Sequence, residues 1–336
     1  MKKLAKLFFV FAFSLTVYFT TAHAANASYA VVDADTGRLL YGSNPHAKMP
    51  IASLTKMWTA LVAIENGDLD MEVTVSDAAA AAEGSSIYLE PGEKVKLETL
   101  LYGLMLRSGN DAAYSIAESV GGSVEGFVDL MNEKALYYGL ESTYFTNPSG
   151  LHHDYHISTA YETAQMLRYA MENEAFREIA TTITYNSSGK LANGTNWLNK
   201  HRLLREKVGA IAGKTGFTKV AGRTLATYFE ENGKKVIVVT LNESNDWQVH
   251  KYLAKKAFDE YKIVTIADKG KYDVSTDISV ELQEPIQLLL NKNEEDQLRN
   301  VLYLSRKQNV FGVWHVFLGD RSIFNTRVDL NEGKRD

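Results

Sequence analysis

A serine and a lysine three residues apart form the first pair in this chain whose types and spacing could do chemistry. Ser53 and Lys56 lie in the run Ala52-Ser-Leu-Thr-Lys-Met-Trp-Thr59, which we predict to be helical. At 3.6 residues per turn the two side chains share one helical face, so the amine can reach the hydroxyl. An amine that has lost its proton through burial or cationic neighbours can activate a serine as a nucleophile. By itself the pair is a weak motif, because Ser-x-x-Lys also occurs by chance.

Two later motifs strengthen this interpretation. Ser108-Gly-Asn110 lies at a predicted tight loop between two helices, and Lys214-Thr-Gly216 lies on a predicted strand. Glycine in a strand permits a ligand backbone to approach closely. Ser-x-x-Lys, Ser-x-Asn and Lys-Thr-Gly, in this order, are the motifs of β-lactamases and penicillin-binding proteins.

On these motifs the chain resembles the low-molecular-mass penicillin-binding proteins of the D-alanyl-D-alanine carboxypeptidase type, serine peptidase family S11. The resemblance runs from Ser28 to about Tyr261. It also includes the segments Asp33-Ala-Asp-Thr-Gly37, Pro50-Ile-Ala-Ser-Leu-Thr-Lys56, Leu101-Tyr-Gly-Leu-Met-Leu-Arg-Ser-Gly-Asn-Asp-Ala112 and Asn147-Pro-Ser-Gly-Leu151. It implies an α/β (α+β) protein with the penicillin-binding, β-lactamase-like transpeptidase fold: an antiparallel sheet flanked by helices, plus an all-helical lobe.

The resemblance also implies roles for individual residues. The expected substrate is a peptidoglycan stem peptide ending in D-Ala-D-Ala, with β-lactam antibiotics as covalent inhibitors and no cofactor or metal. The expected catalytic residues are Ser53 as nucleophile, Lys56 as base and Ser108 as proton relay. The expected substrate-binding residues are Asn110, Lys214, Thr215 and Gly216, and the expected oxyanion hole is formed by the backbone N–H groups of Ser53 and Phe217.

Two features depart from the family pattern. Many relatives carry histidine after Lys-Thr-Gly, whereas this chain has Phe217. Because the expected contribution there is a backbone N–H, the mechanism would survive, while side-chain contacts or pH dependence would differ. The family's carboxy-terminal amphipathic membrane anchor is also not visible. The enzyme would then be released, or held at the membrane surface by an uncleaved amino-terminal segment.

Three alternatives stay open. A class A β-lactamase should have a Glu-x-x-x-Asn loop between the second and third motifs, and none occurs between Asp111 and Gly213. An endopeptidase that cuts D-alanyl crosslinks would differ in pocket shape and not in motif. A catalytically inactive peptidoglycan-binding protein is the third, and the intact Ser53, Lys56 and Lys214 argue against it.

A loop with three histidines invites a metal-site interpretation, which we reject. His152, His153, Asp154 and His156 carry groups that can bind zinc, but their spacing fits no familiar helical ligand pair. The loop also contains Pro148 and Gly150. Its histidines are therefore interpreted as solvated or capping residues.

Composition and charge restrict the class of protein. Lys2, Lys3 and Lys6 precede the apolar run Leu7 to Thr20, and Ala22-His23-Ala24 supplies small residues for cleavage. This pattern predicts a secretory signal peptide, since the run is shorter than the roughly 18 apolar residues of a spanning helix. There is no cysteine, so disulfides and thiolate chemistry are excluded. The net charge of −5, which becomes −8 without the three leader lysines, gives no indication of nucleic acid binding.

The elements that must position the motifs follow from periodicity and turn residues. The sequence predicts a hairpin over Ser28 to Ser43, a central apolar helix from Ser53 ending near Gly67, and a helix over Leu97 to Met105. A third helix is predicted over Ala112 to Ser119, and a hairpin turns at Asn232-Gly233. An amphipathic helix from Asp246 to Tyr261 is predicted to bury Tyr252 among other residues.

The chain is therefore expected to contain a signal peptide and two domains. These are a signal peptide over 1–24, a serine peptidase domain over 25–265 and a small β-rich domain over 266–336. The last is predicted from five short β-like runs separated by polar turns: Ile278 to Leu282, Ile286 to Leu290, Asn300 to Leu304, Gly312 to Leu318 and Ser322 to Leu330. We expect the protein to be exported and to act outside the cytoplasm, in cell-wall biogenesis.

Overall fold

The computed structural model describes residues 27–276, 278–304 and 311–332. The predicted signal peptide, residues 1–24, lies outside the described residues. Within these ranges, none of the helices is both long enough and apolar enough to cross a bilayer.

The first part of the chain alternates between a sheet and a helical lobe. Its elements up to the second motif are β1 (Ser28–Asp33), β2 (Leu39–Ser43), α1 (Thr55–Asn66), β3 (Glu72–Thr74), α2 (Asp77–Ala80), β4 (Lys94–Lys96) and α3 (Leu97–Tyr102). From there to the last helix they are α4 (Asn110–Val120), α5 (Val124–Tyr137), α6 (Ala160–Glu172), α7 (Glu174–Thr181), β5 (Thr184–Asn186), β6 (Asn196–Leu198), β7 (Ala210–Thr218), β8 (Gly222–Glu231), β9 (Lys234–Leu241) and α8 (Asp246–Glu260).

A five-stranded antiparallel sheet in the order β2-β1-β9-β8-β7 is the frame of this part. Side chains of a strand alternate between the two faces of a sheet, and β9 shows the consequence. Val236 and Val238 pack with α8, whereas Ile237 and Val239 pack with the helical lobe. The sheet is therefore covered by helices on both faces, as the fold prediction required.

Helix α1 is the centre of the helical lobe. Every residue from Thr55 to Ala63 is buried, and α1 contacts α4, α5, α6 and α7. The indole of Trp58 donates a hydrogen bond of 2.9 Å to the Met131 carbonyl on α5. The prediction of a central apolar helix is confirmed.

Three details differ from the sequence predictions. Ser53 is not in α1 but in a 3-10 turn over Ala52–Leu54, because the chain must bend sharply to bring the serine out of the core. Asn110 is the first residue of α4 and not a loop residue, and a π-helical turn over Gly103–Arg107 precedes it. Tyr252 is 65% exposed on α8, although we predicted it to be buried. Its position on α8 faces away from the sheet.

The chain beyond α8 forms a β-sandwich. Its strands are β10 (Tyr261–Ala267), β11 (Gly270–Asp273), β12 (Ile278–Leu282), β13 (Ile286–Asn291), β14 (Leu298–Leu304), β15 (Phe311–Leu318) and β16 (Arg321–Glu332). A five-stranded sheet in the order β11-β12-β16-β15-β14 faces the pair β10-β13 across a separate apolar cluster that includes Leu288 and Val316. All five predicted β-like runs are strands. The predicted boundary between residues 265 and 266 falls within β10.

Arg38 connects the two parts of the molecule. It follows the β1–β2 turn and is 7% exposed, and its guanidinium donates to the Glu294 carboxylate at 2.6 Å and to the Leu289 carbonyl. Glu294 and Leu289 both belong to the C-terminal part. A buried guanidinium with these partners attaches the hairpin to the β-sandwich.

We expect Arg38→Met to lower the free energy of unfolding by about 3 kcal/mol, because it leaves a mostly buried carboxylate without its counter-charge. Lys235→Met is the matched control, since it removes an exposed ion pair with Asp35, in the turn that precedes Arg38. The control should cost less than about 1 kcal/mol. Guanidinium chloride titration measures both, and equal losses would contradict the assignment.

Candidate active site

The turn that carries Ser53 is held by two close backbone contacts. Ala52 adopts a left-handed conformation with φ 49°, which is strained for a residue with a side chain. A Cβ on Gly150 would lie 1.9 Å from the Ala52 carbonyl oxygen, and a Cβ on Gly216 would lie 2.9 Å from the Ser53 nitrogen. Only glycine fits at these two positions. The serine is therefore clamped between the loop after Pro148 and strand β7.

Lys56 is fully buried directly below the serine. Its Nζ lies 3.1 Å from Ser53 Oγ, 2.7 Å from Asn110 Oδ1 and 2.5 Å from the Ser149 carbonyl oxygen. Burial lowers the pKa of Lys56 well below its ordinary value, and the charges of Lys214 and Lys200 lower it further. A neutral amine in this position can take the serine proton.

The second motif provides one group to each lysine. Ser108 has φ 66° at the end of the π-helical turn, and its Oγ accepts a 3.0 Å hydrogen bond from Lys214 Nζ. Asn110 contacts Lys56 through Oδ1, while its Nδ2 donates to the Glu83 carbonyl oxygen. The π-helical turn and the left-handed residue thus orient two adjacent side chains towards two different amines.

Lys214 is 2% exposed on β7, the edge strand beside the serine. Besides Ser108, its Nζ donates to the Thr215 carbonyl oxygen at 2.8 Å. Burial, followed by the charge of Lys200, lowers the pKa of Lys214 to about 7. Its charge therefore depends on pH near neutrality and would be favoured by a bound anion.

An open cleft of about 350 Å³ lies over these groups. Predicted site residues on its wall are Ser53, Ser108, Thr215, Gly216 and Phe217. Lys56, Asn110 and Lys214 lie beneath it. The structure therefore brings together all three motifs, and the Phe217 side chain, 66% exposed, stands at the rim.

Sequence reasoning missed several residues of the cleft. Lys200 lines it with Ser85, and Lys200 Nζ lies 3.4 Å from Ser85 Oγ. Arg223 and Asp246 line it as an ion pair of 2.9 Å, next to Trp247. No local motif distinguishes these residues. The Ser149 carbonyl was also missed as a Lys56 ligand, although the segment Asn147 to Leu151 had already been singled out for its resemblance.

A buried aspartate supports the cleft from behind. The carboxylate of Asp111 accepts hydrogen bonds from the Ser86 hydroxyl at 2.6 Å and from the backbone N–H groups of Ile87 and Leu89. These bonds fix the loop that presents the Glu83 carbonyl to Asn110. Asp111 therefore positions the second motif without lining the cleft.

One histidine of the loop, His156, has a structural role. His156 is 2% exposed, accepts a hydrogen bond from the Thr146 N–H at Nδ1, and lies 2.7 Å from Thr55 Oγ1 through Nε2. Burial lowers its pKa to about 3, so the ring is neutral. Thr55 Oγ1 in turn donates to the Ala52 carbonyl at 2.8 Å. His156 thus supports the strained turn that carries Ser53.

Among residues 27–276, 278–304 and 311–332, no three histidines or carboxylates are grouped so as to hold a metal ion.

The sequence of this chain is similar to those of several known proteins. The family model described as D-alanyl-D-alanine carboxypeptidase, peptidase family S11, matches residues 16–245. The chain is 32% identical over 295 residues to D-alanyl-D-alanine carboxypeptidase DacF of Bacillus subtilis, which covers 82% of this chain and 74% of the relative. It is 30% identical over 223 residues to the D-alanyl-D-alanine endopeptidase of Pseudomonas aeruginosa, 65% of this chain and 71% of the relative.

Among solved structures, D-alanyl-D-alanine carboxypeptidase DacD from Francisella tularensis superposes with a TM-score of 0.71. The match covers 92% of this chain and 94% of that one, at 24% identity. At this identity the likeness concerns the fold. It extends over more of the chain than the family model and therefore includes part of the C-terminal β-sandwich.

We expect Gly150→Ala to slow acylation of Ser53 by a labelled penicillin at least tenfold, because the new Cβ would displace the Ala52 carbonyl and with it the serine. Gly139→Ala is the matched control. Gly139 also has a positive φ, 70°, but a Cβ there meets nothing within 4 Å, so only the backbone strain of about 1 kcal/mol applies. Stopped-flow acylation rates measure the effect, and equal rates in the two variants would contradict the clamp.

Proposed function

Because the chain belongs to the D-alanyl-D-alanine carboxypeptidase family, peptidase family S11, we propose that it removes the terminal D-alanine from peptidoglycan stem peptides through an acyl-enzyme on Ser53. The observation that carries the proposal is the buried Lys56 amine 3.1 Å from Ser53 Oγ. Burial lowers the pKa of Lys56 and so favours the neutral amine that a base requires.

Acylation follows from the positions of four groups. Ser53 Oγ forms a bond to the carbonyl carbon between the two D-alanines, and its proton passes to Lys56 Nζ. The carbonyl oxygen becomes an oxyanion, stabilised by the N–H groups of Ser53 and Phe217. When the C–N bond breaks, the Ser108 hydroxyl gives its proton to the leaving nitrogen and takes in turn the proton that Lys56 Nζ accepted, so Lys56 is neutral again. The amine departs as free D-alanine.

Substrate binding would use the third motif. Lys214 and the Thr215 hydroxyl bind the terminal carboxylate as a charge-assisted pair, and Gly216 lets the peptide backbone approach. Asn110 Nδ2 has one hydrogen bonded to Glu83, and the other would bind a substrate carbonyl. Lys200 and Arg223, which line the same cleft, add positive charge around the carboxylate.

Water then attacks the ester carbonyl carbon while Lys56 Nζ accepts its proton. The bond to Ser53 Oγ breaks, and Ser53 Oγ takes that proton back from Lys56. The chain lacks the Glu-x-x-x-Asn loop with which class A β-lactamases activate this water, so a penicilloyl ester on Ser53 should persist. The protein would therefore bind penicillin without destroying it quickly.

The proposal extends to location and organisation. We propose that residues 1–24 direct export and that the enzyme acts outside the cytoplasm, on the cell wall. Because β10 pairs with β13, we also propose to place the boundary between the catalytic and β-rich domains at the end of α8.

A second candidate is cleavage of D-alanyl crosslinks. The Pseudomonas relative named as an endopeptidase favours it, since the chain is about as similar to that protein as to the carboxypeptidases. The chemistry on Ser53 would be unchanged, and only the acyl acceptor side of the substrate would differ.

We expect timed mass spectrometry of the mature protein to detect a persistent penicillin adduct on Ser53, and to detect D-alanine released from diacetyl-Lys-D-Ala-D-Ala. Ser53→Ala should abolish both. Ser85→Ala removes another serine of the same cleft and should retain both. Cleavage of a crosslinked dimer into its two stem peptides, without release of D-alanine from the diacetyl peptide, would select the endopeptidase. Rapid penicillin hydrolysis without D-alanine release would indicate a β-lactamase, and no adduct would overturn the proposal.

The pH profile tests the role of Lys214. Binding a carboxylate requires the charged amine, so kcat/KM should fall as the pH rises through about 7. Lys200→Met removes a like charge, which favours protonated Lys214, and should move this fall to higher pH. Lys190→Met, an exposed lysine outside the cleft, should leave the profile unchanged. A shift to lower pH in Lys200→Met would contradict the assignment.

A further inference from the structure

A second concavity of about 420 Å³ lies away from the cleft, where the two parts of the molecule meet. The β1–β2 hairpin, with His46 after it, and the start of α6 form one wall, and the start of β16 forms the other. The lining residues that matter here are Leu39, His46, Tyr161, Arg321, Ser322 and Ile323. The concavity shares no residue with the cleft around Ser53.

The concavity contains polar groups that the protein itself leaves unused. Among the described residues, the Arg321 guanidinium has no carboxylate or hydrogen-bond partner, although it is close enough to the Tyr161 phenol to oppose the rise that burial causes in the phenol's pKa. The His46 ring contacts Tyr161 edge to face at 5.1 Å, and within the described ranges its nitrogens form no hydrogen bond.

The neighbouring carboxylates are already committed. Glu294 is paired with Arg38 at the back of the concavity. Glu162, next to Tyr161, accepts hydrogen bonds from the Ser142 N–H and the Thr143 hydroxyl. The charge that Arg321 presents to the concavity is therefore not cancelled locally, and the site favours an anion.

The other lining residues of the concavity suit a ligand that has both apolar and hydroxylated faces. Leu39, Ile323 and the ring of Tyr161 offer apolar surface, while the Ser322 hydroxyl and His46 offer hydrogen bonds. A volume of this size is in the range of small-molecule sites lined by aromatic groups and a few polar ones. A guanidinium is the side chain that best matches carboxylate or phosphate geometry.

The geometry points to a second binding site, for an anionic sugar unit of the cell wall: a sugar ring against Tyr161 and its carboxylate or phosphate on Arg321. Two sources would supply this chemistry: the free carboxylate of a muramic acid unit that carries no stem peptide, or a sugar- or polyol-phosphate polymer. Because the site is separate from the cleft, it would hold the polymer while a peptide on the same polymer reaches Ser53. Such tethering raises the local concentration of substrate.

The test is calorimetric titration of the full mature chain with three probes. They are the N-acetylglucosamine–N-acetylmuramic acid disaccharide with a free carboxylate, a glycerol phosphate oligomer and neutral chitobiose. We expect one of the two anionic probes to bind at least tenfold more tightly than chitobiose. The probe that does so identifies which of the two anionic polymers the site recognises. Arg321→Gln should weaken that binding about tenfold, the scale of a lost charge-assisted bond. Arg299→Gln, an exposed guanidinium outside the concavity, should not.

Release of D-alanine from a sugar-free peptide separates this site from the proposed catalytic function, and Arg321→Gln should not change it. If Arg321→Gln fails to fold, His46→Gln provides the same comparison from the other wall. Equal binding of chitobiose and the anionic probes, binding of neither anionic probe, or equal effects of Arg321→Gln and Arg299→Gln would overturn the inference.

Discussion

The burial of one lysine amine is the constraint on which the catalytic part of this structure depends. Nζ of Lys56 has no exposed surface, and an amine removed from water must find oxygen partners within the protein. It finds them on Ser53, Asn110 and Ser149, which belong to three separate segments of the chain. Helix α1 supplies the lysine, α4 the amide and the loop before the histidines the carbonyl. The same burial that requires these partners also lowers the pKa of the amine, because the charged form is the more costly one in a low dielectric.

Close backbone approach is the second requirement. Gly150 and Gly216 bring the loop and β7 against the turn around Ser53, and neither contact leaves room for a side chain. The left-handed Ala52 in that turn is strained, and such strain persists only where the surroundings hold it. Here the Thr55 hydroxyl, backed by His156, bonds the Ala52 carbonyl. His156, from the loop for which we rejected a metal site, thus helps to hold the serine in place.

Three lysines lie close together at the cleft, and burial is the largest cause of the lowered pKa of each. Nearby charges lower these pKa values further: Lys214 and Lys200 act on Lys56, Lys200 acts on Lys214, and Arg107 acts on Lys200. Burial therefore favours the neutral form of these amines, and a bound carboxylate would favour the charged form of Lys214. The concavity between the hairpin and the β-sandwich has a different arrangement of charges. Arg38 is paired with Glu294, whereas Arg321 lines the concavity without a carboxylate partner among the described residues. The cleft thus contains buried lysines with lowered pKa values, whereas the concavity contains one paired and one unpaired arginine among the described residues.

The sequence by itself determined the elements and the residues that could do chemistry. Periodicity and turn residues predicted α1, the β1–β2 and β8–β9 hairpins and strands β12 to β16, but not β10 or β11. Three motifs pointed to Ser53, Lys56, Ser108, Asn110 and Lys214, since local spacing and residue type carry that information. It could not determine the 3-10 turn at Ser53, the π-helical turn before Ser108, or the exposure of Tyr252, which depend on packing between distant segments. Only the tertiary structure decided that the Ser149 carbonyl bonds Lys56, that Lys200 and Arg223 line the cleft, and that Arg321 faces Tyr161. These contacts join residues that are far apart in the chain, so no local sequence pattern encodes them. The lowered pKa values of the lysines also depend on the tertiary structure, because a side chain becomes buried only in the folded chain.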